Sequence, residues 1–210
     1  MTENDLNRRP IAARNSAWAQ RLSAALARTA ITPDQISVAS VVFAAIGAAL
    51  LVLWPNAAGL LLCALCIQLR LLCNLLDGMV AVEGGKGSAL GRIYNELPDR
   101  ITDSLLIVAL GYACAMPWLG WLGALLAVLT AYVRVLGGSL GQAQDFRGPL
   151  AKAQRMALLT IACVAGAIET FWDSERYALQ IAAVLIVAGS LFTCMTRTRA
   201  IATRLREGGG

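Results

Sequence analysis

Histidine is absent from the whole chain. That removes Ser-His-Asp and Cys-His nucleophilic schemes and leaves carboxylates as the side chains that would accept protons. Charge is scarce too, at 15% of residues against about 25% in a soluble domain. Apolar residues make up 58% and the mean hydropathy is +0.63, so the expectation is an all-α polytopic membrane protein of one domain. The six cysteines (Cys63, Cys66, Cys73, Cys114, Cys163 and Cys194) all fall inside apolar runs. Cys63 and Cys66 form a CxxC with no second pair or histidine to complete a zinc set, so packing is their expected use. The first thirty residues are polar and Arg-bearing, without the short apolar stretch and small-residue site of a secretory signal. Gly84-Gly85-Lys86-Gly87-Ser88 lacks the GxxxxGK[ST] spacing and a preceding strand, which excludes a P-loop.

What is present is a series of apolar runs. Residues 11–30 carry Arg14, Arg21 and Arg28 at every seventh position, with Trp18, Leu22 and Leu26 on another side. This pattern predicts an N-terminal amphipathic helix, lying in the membrane interface or packed on its own protein. Thr32-Pro33-Asp34 is a helix start with Thr as N-cap. No residue from Gln35 to Leu69 is charged, too long for one span of about 20 residues, and Trp54-Pro55-Asn56 divides it. The expected spans are then 35–53, 57 to the turn at Glu83-Gly84-Gly85, 89–115, 118–137, 152–169 and 177–196. These define three segments: 1–31 interfacial, 32–196 six-span, and 197–210 a basic tail ending in Gly208-Gly209-Gly210. Fifteen of the eighteen Lys and Arg residues fall at the two termini, in 84–100 and in 147–155. The positive-inside rule then predicts a protein of the cytoplasmic membrane with both termini and the polar segment facing the cytoplasm. Topology accounts for the +5 net charge, and nucleic acid is not an expected partner.

The segment Asn74–Asp103 stands apart. Asn74 and Asp77 are three residues apart on the second span, and Asn95, Asp99 and Asp103 are spaced by four on the third. Carboxylates within apolar helices are costly and by default functional. Two helices presenting oxygen ligands at one depth suit a hard cation, Mg²⁺ or Mn²⁺. Gly78 and Ala81 leave room for a ligand or a neighbouring backbone. Arg70 and Arg134 are intramembrane cations, read either as ion-pair partners of the site or, for Arg134 with Arg147, Lys152 and Arg155, as an anion pocket above it.

Asp77, Gly78, Ala81, Gly91 and Asp99 keep the full spacing of D-x-x-D-G-x-x-A-R-x8-G-x-x-x-D-x-x-x-D, and the segment resembles that signature of the CDP-alcohol phosphatidyltransferases. The Thr-Pro start of the first span, the six spans and the basic stretch FRGPLAKAQR are also similar to that family. Asn74, Asn95 and Val82 depart from it, standing where the signature has Asp, Asp and Arg. The resemblance implies transfer of a phosphatidyl group from a CDP-linked donor, above all CDP-diacylglycerol, to a small polar alcohol such as glycerol phosphate or inositol phosphate, with release of CMP. It implies Asn74, Asp77, Asn95 and Asp99 as ligands of one or two Mg²⁺ or Mn²⁺ ions, and Asp77, Gly78, Ala81 and Gly91 as the seat of the CDP group. Asp99 is the candidate base with Asp103 second, Arg134, Arg147, Lys152 and Arg155 are candidates for holding the acceptor phosphate, and the assembly is a homodimer. Glu83, Glu96 and Asp103 are acids that could restore charge lost at Asn74 and Asn95. Two alternatives stay open: a non-catalytic homologue that binds lipid or nucleotide, and a small transporter.

Overall fold

The computed structural model describes residues 16–82, 84–172 and 176–207. Arg14, Glu83 and Gly208–Gly210 lie outside the described residues. Among the described residues there are seven α-helices and no strand: α1 (Ala17–Ala27), α2 (Pro33–Leu53), α3 (Ala57–Val82), α4 (Gly91–Ala113), α5 (Pro117–Ser139), α6 (Lys152–Glu169) and α7 (Tyr177–Glu207). A single 3₁₀ turn, Thr170–Trp172, follows α6.

The helix ends follow from local chemistry. Thr32 Oγ1 accepts the Gln35 N–H at 3.2 Å and Gln35 Oε1 accepts the Thr32 N–H at 3.1 Å, a complete capping box at the start of α2. Asn56 Oδ1 accepts the Gly59 N–H at 2.9 Å and opens α3 after the Trp54-Pro55 break. Glu169 accepts the Ala178 N–H at 3.0 Å and caps α7, while the Arg176 guanidinium donates to the Ala113 carbonyl at 2.9 Å near the end of α4. The helix of the expected sixth span, 177–196, runs on beyond it. No Gly or Pro interrupts 197–207, so α7 continues as helix through Arg197, Arg199, Arg204 and Arg206.

Six of the helices close a ring in which neighbours run α2–α3–α6–α7–α5–α4 and back to α2. One continuous apolar core lies inside it, including Leu51, Leu60, Leu106, Leu110, Leu159, Leu179 and Ile186. Many large apolar side chains point outward instead, among them Leu61, Leu65, Leu125, Ile161, Val184 and Phe192, as lipid-facing residues do. Five helices (α2, α3, α5, α6 with its 3₁₀ turn, and α7) are long and apolar enough to cross a membrane, and the chain is an integral membrane protein. The expected third span, α4, has 23 residues but is not among those five, because its first half carries Arg92, Glu96, Asp99, Arg100 and Asp103.

Helix α1 packs on α3 through Ala19, beside Leu75 and Met79, and through Leu26 against the cluster of Ile36, Leu76 and Val80. Trp18 and Leu22 on its other side are exposed. The glycine-rich turn before α4 is tied to the α1–α2 connection, since Lys86 Nζ donates to the carbonyls of Thr29 at 2.5 Å and Ile31 at 3.2 Å. The α5–α6 loop is equally anchored. Gly148, at φ +127°, would place a Cβ 2.4 Å from Thr193 Cγ2, so only glycine lets the loop lie on α7 there. Thr193 Oγ1 accepts the Leu150 N–H at 3.2 Å, and Arg197 donates to the carbonyls of Arg147 and Thr130, both at 2.8 Å.

Candidate active site

The polar end of the ring is built around α4. Its carboxylates at positions 99 and 103 lie one turn apart and meet different partners. Asp103 is 1% exposed and sits between two guanidiniums, Arg70 of α3 at 0% and Arg155 of α6 at 1%. Arg70 Nη2 donates to Asp103 Oδ1 at 2.7 Å, and Arg155 Nη2 donates to Asp103 Oδ2 at 2.9 Å. Arg70 Nε also donates to Thr102 Oγ1 at 2.8 Å, and Arg155 Nη1 to the Leu150 carbonyl at 2.8 Å. One aspartate thus joins α3, α4 and α6. Both of its oxygens are engaged, so the geometry favours Asp103 as a structural anchor over a base, and Arg155 as its partner over an open phosphate contact. Arg70 answers to the ion-pair reading.

Asp99 lies at the more open level and draws together three of the expected site residues. Asn74 Nδ2 donates to Asp99 Oδ1 at 2.9 Å, and the Lys152 ammonium at the start of α6 pairs with the same oxygen. Arg70 Nη2 stands 3.8 Å from Oδ1, and Arg100 Nη2 stands 3.8 Å from Oδ2. Asp77, one turn along α3 from Asn74, is buried and faces α2. Ser37 donates to its Oδ2 at 2.6 Å, and its Oδ1 is buried without a hydrogen-bond partner. Asn95, one turn before Asp99, is exposed.

The remaining residues divide between two neighbouring clusters. Arg134 donates to Glu96 at 2.6 Å and to Gln144 Oε1 at 2.8 Å, with its guanidinium carbon 5.4 Å from the centre of the Phe146 ring. Glu96 is therefore engaged by Arg134. Arg147 is largely exposed and clasps the buried Asp145 with two of its nitrogens, the nearer at 2.7 Å. Those hydrogen bonds, with the help of Arg204, hold the Asp145 carboxyl below the usual carboxylate range and raise the Arg147 guanidinium. Gly91 opens α4, and a Cβ there would meet only Ser88 Oγ at 3.5 Å, an ordinary contact. Nothing in the protein itself requires glycine at that position. Ser37, Thr102 and Gln144 complete the polar end without having been legible as site residues, because each is a common residue whose partner lies on another helix.

Toward a divalent cation the two acids Asp77 and Asp99 differ in what already surrounds them. The partnerless, buried Oδ1 of Asp77 is the acceptor that a hard cation seeks, and the amide oxygens of Asn74 and Asn95 are neutral ligands of the right type. At Asp99 the nearest charges are already cations of the chain. Among the described residues no three Asp, Glu, His or Cys side chains gather as a metal-holding group.

The comparisons with known proteins bear on the fold. No family model matches the chain. It is 27% identical over 173 residues to the inner membrane protein YnbA of Escherichia coli (strain K12), covering 81% of this chain and 84% of that protein. Among solved structures it is similar to phosphatidylinositol phosphate synthase (PgsA1) of Mycobacterium tuberculosis. With manganese and citrate bound to that enzyme the TM-score is 0.75, at 20% identity over 88% of this chain and 89% of that one. With CDP-DAG bound to it the TM-score is 0.74, at 20% identity, covering 89% of this chain and 94% of that one. The chain has the helical fold of that synthase.

Proposed function

We propose that the protein is a membrane transferase of the CDP-alcohol phosphatidyltransferase type. It would move a phosphatidyl group from a CDP-linked lipid donor, CDP-diacylglycerol, to a small polar alcohol and release CMP. The observation that carries this reading is the Asn74–Asp99–Lys152 cluster, set beside the partnerless oxygen of Asp77 in a fold whose solved counterpart holds manganese in one structure and CDP-DAG in another. The finer parts of the proposal are six spans with α4 as the third, α1 in the interface, the polar end facing the cytoplasm, segments divided at 31 and 196, and a homodimer.

In this mechanism Asp77, with the amide oxygens of Asn74 and Asn95, would hold Mg²⁺ or Mn²⁺. When bound, the ion neutralises the donor pyrophosphate and polarises the phosphorus under attack. Asp99 takes the proton from the acceptor hydroxyl as the new P–O bond forms. CMP departs with the electron pair of the broken P–O bond. Lys152 and Asn74 hold Oδ1 of Asp99, which leaves Oδ2, 3.8 Å from Arg100 Nη2, as the oxygen that would serve the acceptor. Gly78, Ala81 and Gly91 give the CDP group its close approach. Arg134 and Arg147, at the rim of the α5–α6 loop, attract an acceptor that carries phosphate, which favours glycerol phosphate or inositol phosphate.

A second reading, a lipid- or nucleotide-binding homologue without turnover, is favoured by the saturation of Asp99 Oδ1 with donors. The two are separated by incubating purified protein with Mn²⁺, CDP-diacylglycerol and a panel of labelled acceptors. The transferase reading expects CMP and one new labelled lipid. Binding of CDP-diacylglycerol with no CMP from any acceptor would support the second.

A further inference from the structure

Four positions of the Asn74–Asp99 segment would, as carboxylates, carry four negative charges. Here two of them, Asn74 and Asn95, are neutral amides. Of the two acids left, Asp99 is already paired. Its Oδ1 accepts from Asn74 Nδ2 at 2.9 Å and from the Lys152 ammonium, with Arg70 Nη2 at 3.8 Å. Arg100 Nη2 stands 3.8 Å from Oδ2. The amide of Asn74 thus turns its NH₂ toward Asp99 and not its oxygen, an orientation suited to a neighbour that stays anionic and unmetallated. A divalent ion brought to Asp99 would meet the Lys152 charge at close range and find one carboxylate to offset it. Asp77 contrasts with this. Ser37 donates to its Oδ2 at 2.6 Å, the Gly78 backbone N–H is a further donor to the carboxylate, and Oδ1 is the oxygen buried without a hydrogen-bond partner.

We infer that this site is built for one divalent ion, held at Asp77, and that the Lys152 ammonium serves as the fixed second cation, at Asp99. The inference rests on the transferase reading for what the two cations act upon, the donor pyrophosphate. An ammonium is suited to that place, being a compact point charge with three donors that can serve a carboxylate and a phosphate oxygen together. Lys152 is moreover the first residue of α6, next to the loop pinned to α7 through Thr193 and Arg197, which sets its height above the ring.

The test counts ions directly. Purified protein is titrated with Mn²⁺ in the presence of CDP, and free Mn²⁺ is followed by electron paramagnetic resonance. The wild type is expected to saturate at one ion per chain. Asp77→Asn is expected to lose that ion, and the combined variant Asn74→Asp, Asn95→Asp, Lys152→Gln to saturate at two. Thermal unfolding in detergent and a single gel-filtration peak qualify each variant as folded, and Asn74→Asp, Asn95→Asp with Lys152 retained is the substitute if the triple variant does not fold. That substitute is expected to stay at one ion. Two ions in the wild type, none in the wild type, one ion retained in Asp77→Asn, or two in the substitute would each overturn the inference. CMP release measured on the same samples keeps it distinct from the reading beneath it. Two ions with CMP release would sink only the one-ion inference, and one ion without CMP from any acceptor would sink only the transferase.

Discussion

The two halves of α4 hold the ring together by different means. From Gly91 to Asp103 the helix faces neighbours through charges: Glu96 to Arg134, Asp99 to Lys152, Asp103 to Arg70 and Arg155. From Leu106 to Ala113 it meets them through close apolar packing, and a Cβ on Gly111 would lie 2.6 Å from Gly120 Cα on α5. The charged half depends on complete partnerships, because a buried ion that loses its partner is left uncompensated in low dielectric. The packed half depends on volume, because interiors are dense and nearby backbone cannot give way. The proposed function calls for the first kind of end, since a site that is to handle anionic phosphates needs fixed charge, and the second kind supplies the rigid frame.

The largest effect should come from emptying the charged half. Asp103→Ala leaves Arg70 and Arg155 buried together with no carboxylate between them and should destabilise by about 3–5 kcal/mol, read as a collapse of the melting temperature in detergent. If the role is structural, Arg70→Met, Asp103→Leu, Arg155→Met together should restore most of that loss, since apolar replacement of a buried ionic cluster is often neutral. A triple variant as unstable as Asp103→Ala would break the comparison at its root. Next comes the packed half. Gly111→Ala pushes a methyl into the α5 backbone and should cost about 1–3 kcal/mol, with little change in the apparent affinity for donor among the molecules that stay folded.

Gly91→Ala reverses that pattern. The added Cβ meets only Ser88 Oγ, so the melting temperature should hold while KM for CDP-diacylglycerol rises by about 10-fold if the CDP group passes there. An unchanged KM would remove Gly91 from the donor seat. The smallest effect belongs to the rim. Asp145 titrates below its unfolded value because Arg147 hydrogen-bonds its charged form, so the pair contributes stability above about pH 4 and loses it as pH falls through the depressed value. Arg147 is largely in water and the pair is screened, so Arg147→Gln should cost about 0.5 kcal/mol at pH 7 and less toward pH 3. A cost that grows on acidification would contradict the assignment.

The apolar half and the helix boundaries were the legible part of the chain. Runs without charge, Trp-Pro breaks and the Thr32 cap act within a few residues of one another, so position along the chain already encodes them. The same holds for the spacing of Asn74, Asp77, Asp99 and Asp103, which puts each pair on one helix face. Which acid does what was not legible. Arg70, Asp103 and Arg155 come from three helices, and nothing local distinguishes Asp103 from Asp99 one turn away. Arg155 looks like part of a basic loop in sequence and proves to be at 1% exposure inside the ring. The secondary structure of the basic segment after 196 was not legible either: without Gly or Pro to stop it, the helix continues to Glu207.

The proposed division of labour between neighbouring aspartates is tested most directly by CMP release from CDP-diacylglycerol, with Mn²⁺ and the acceptor that the panel selects, for the wild type and Asp99→Asn. The account predicts measurable release by the wild type. It predicts a fall of about 100-fold or more in a variant that remains folded, as expected when a general base is lost. Equal release by a folded Asp99→Asn, or none by the wild type with every acceptor, would contradict it.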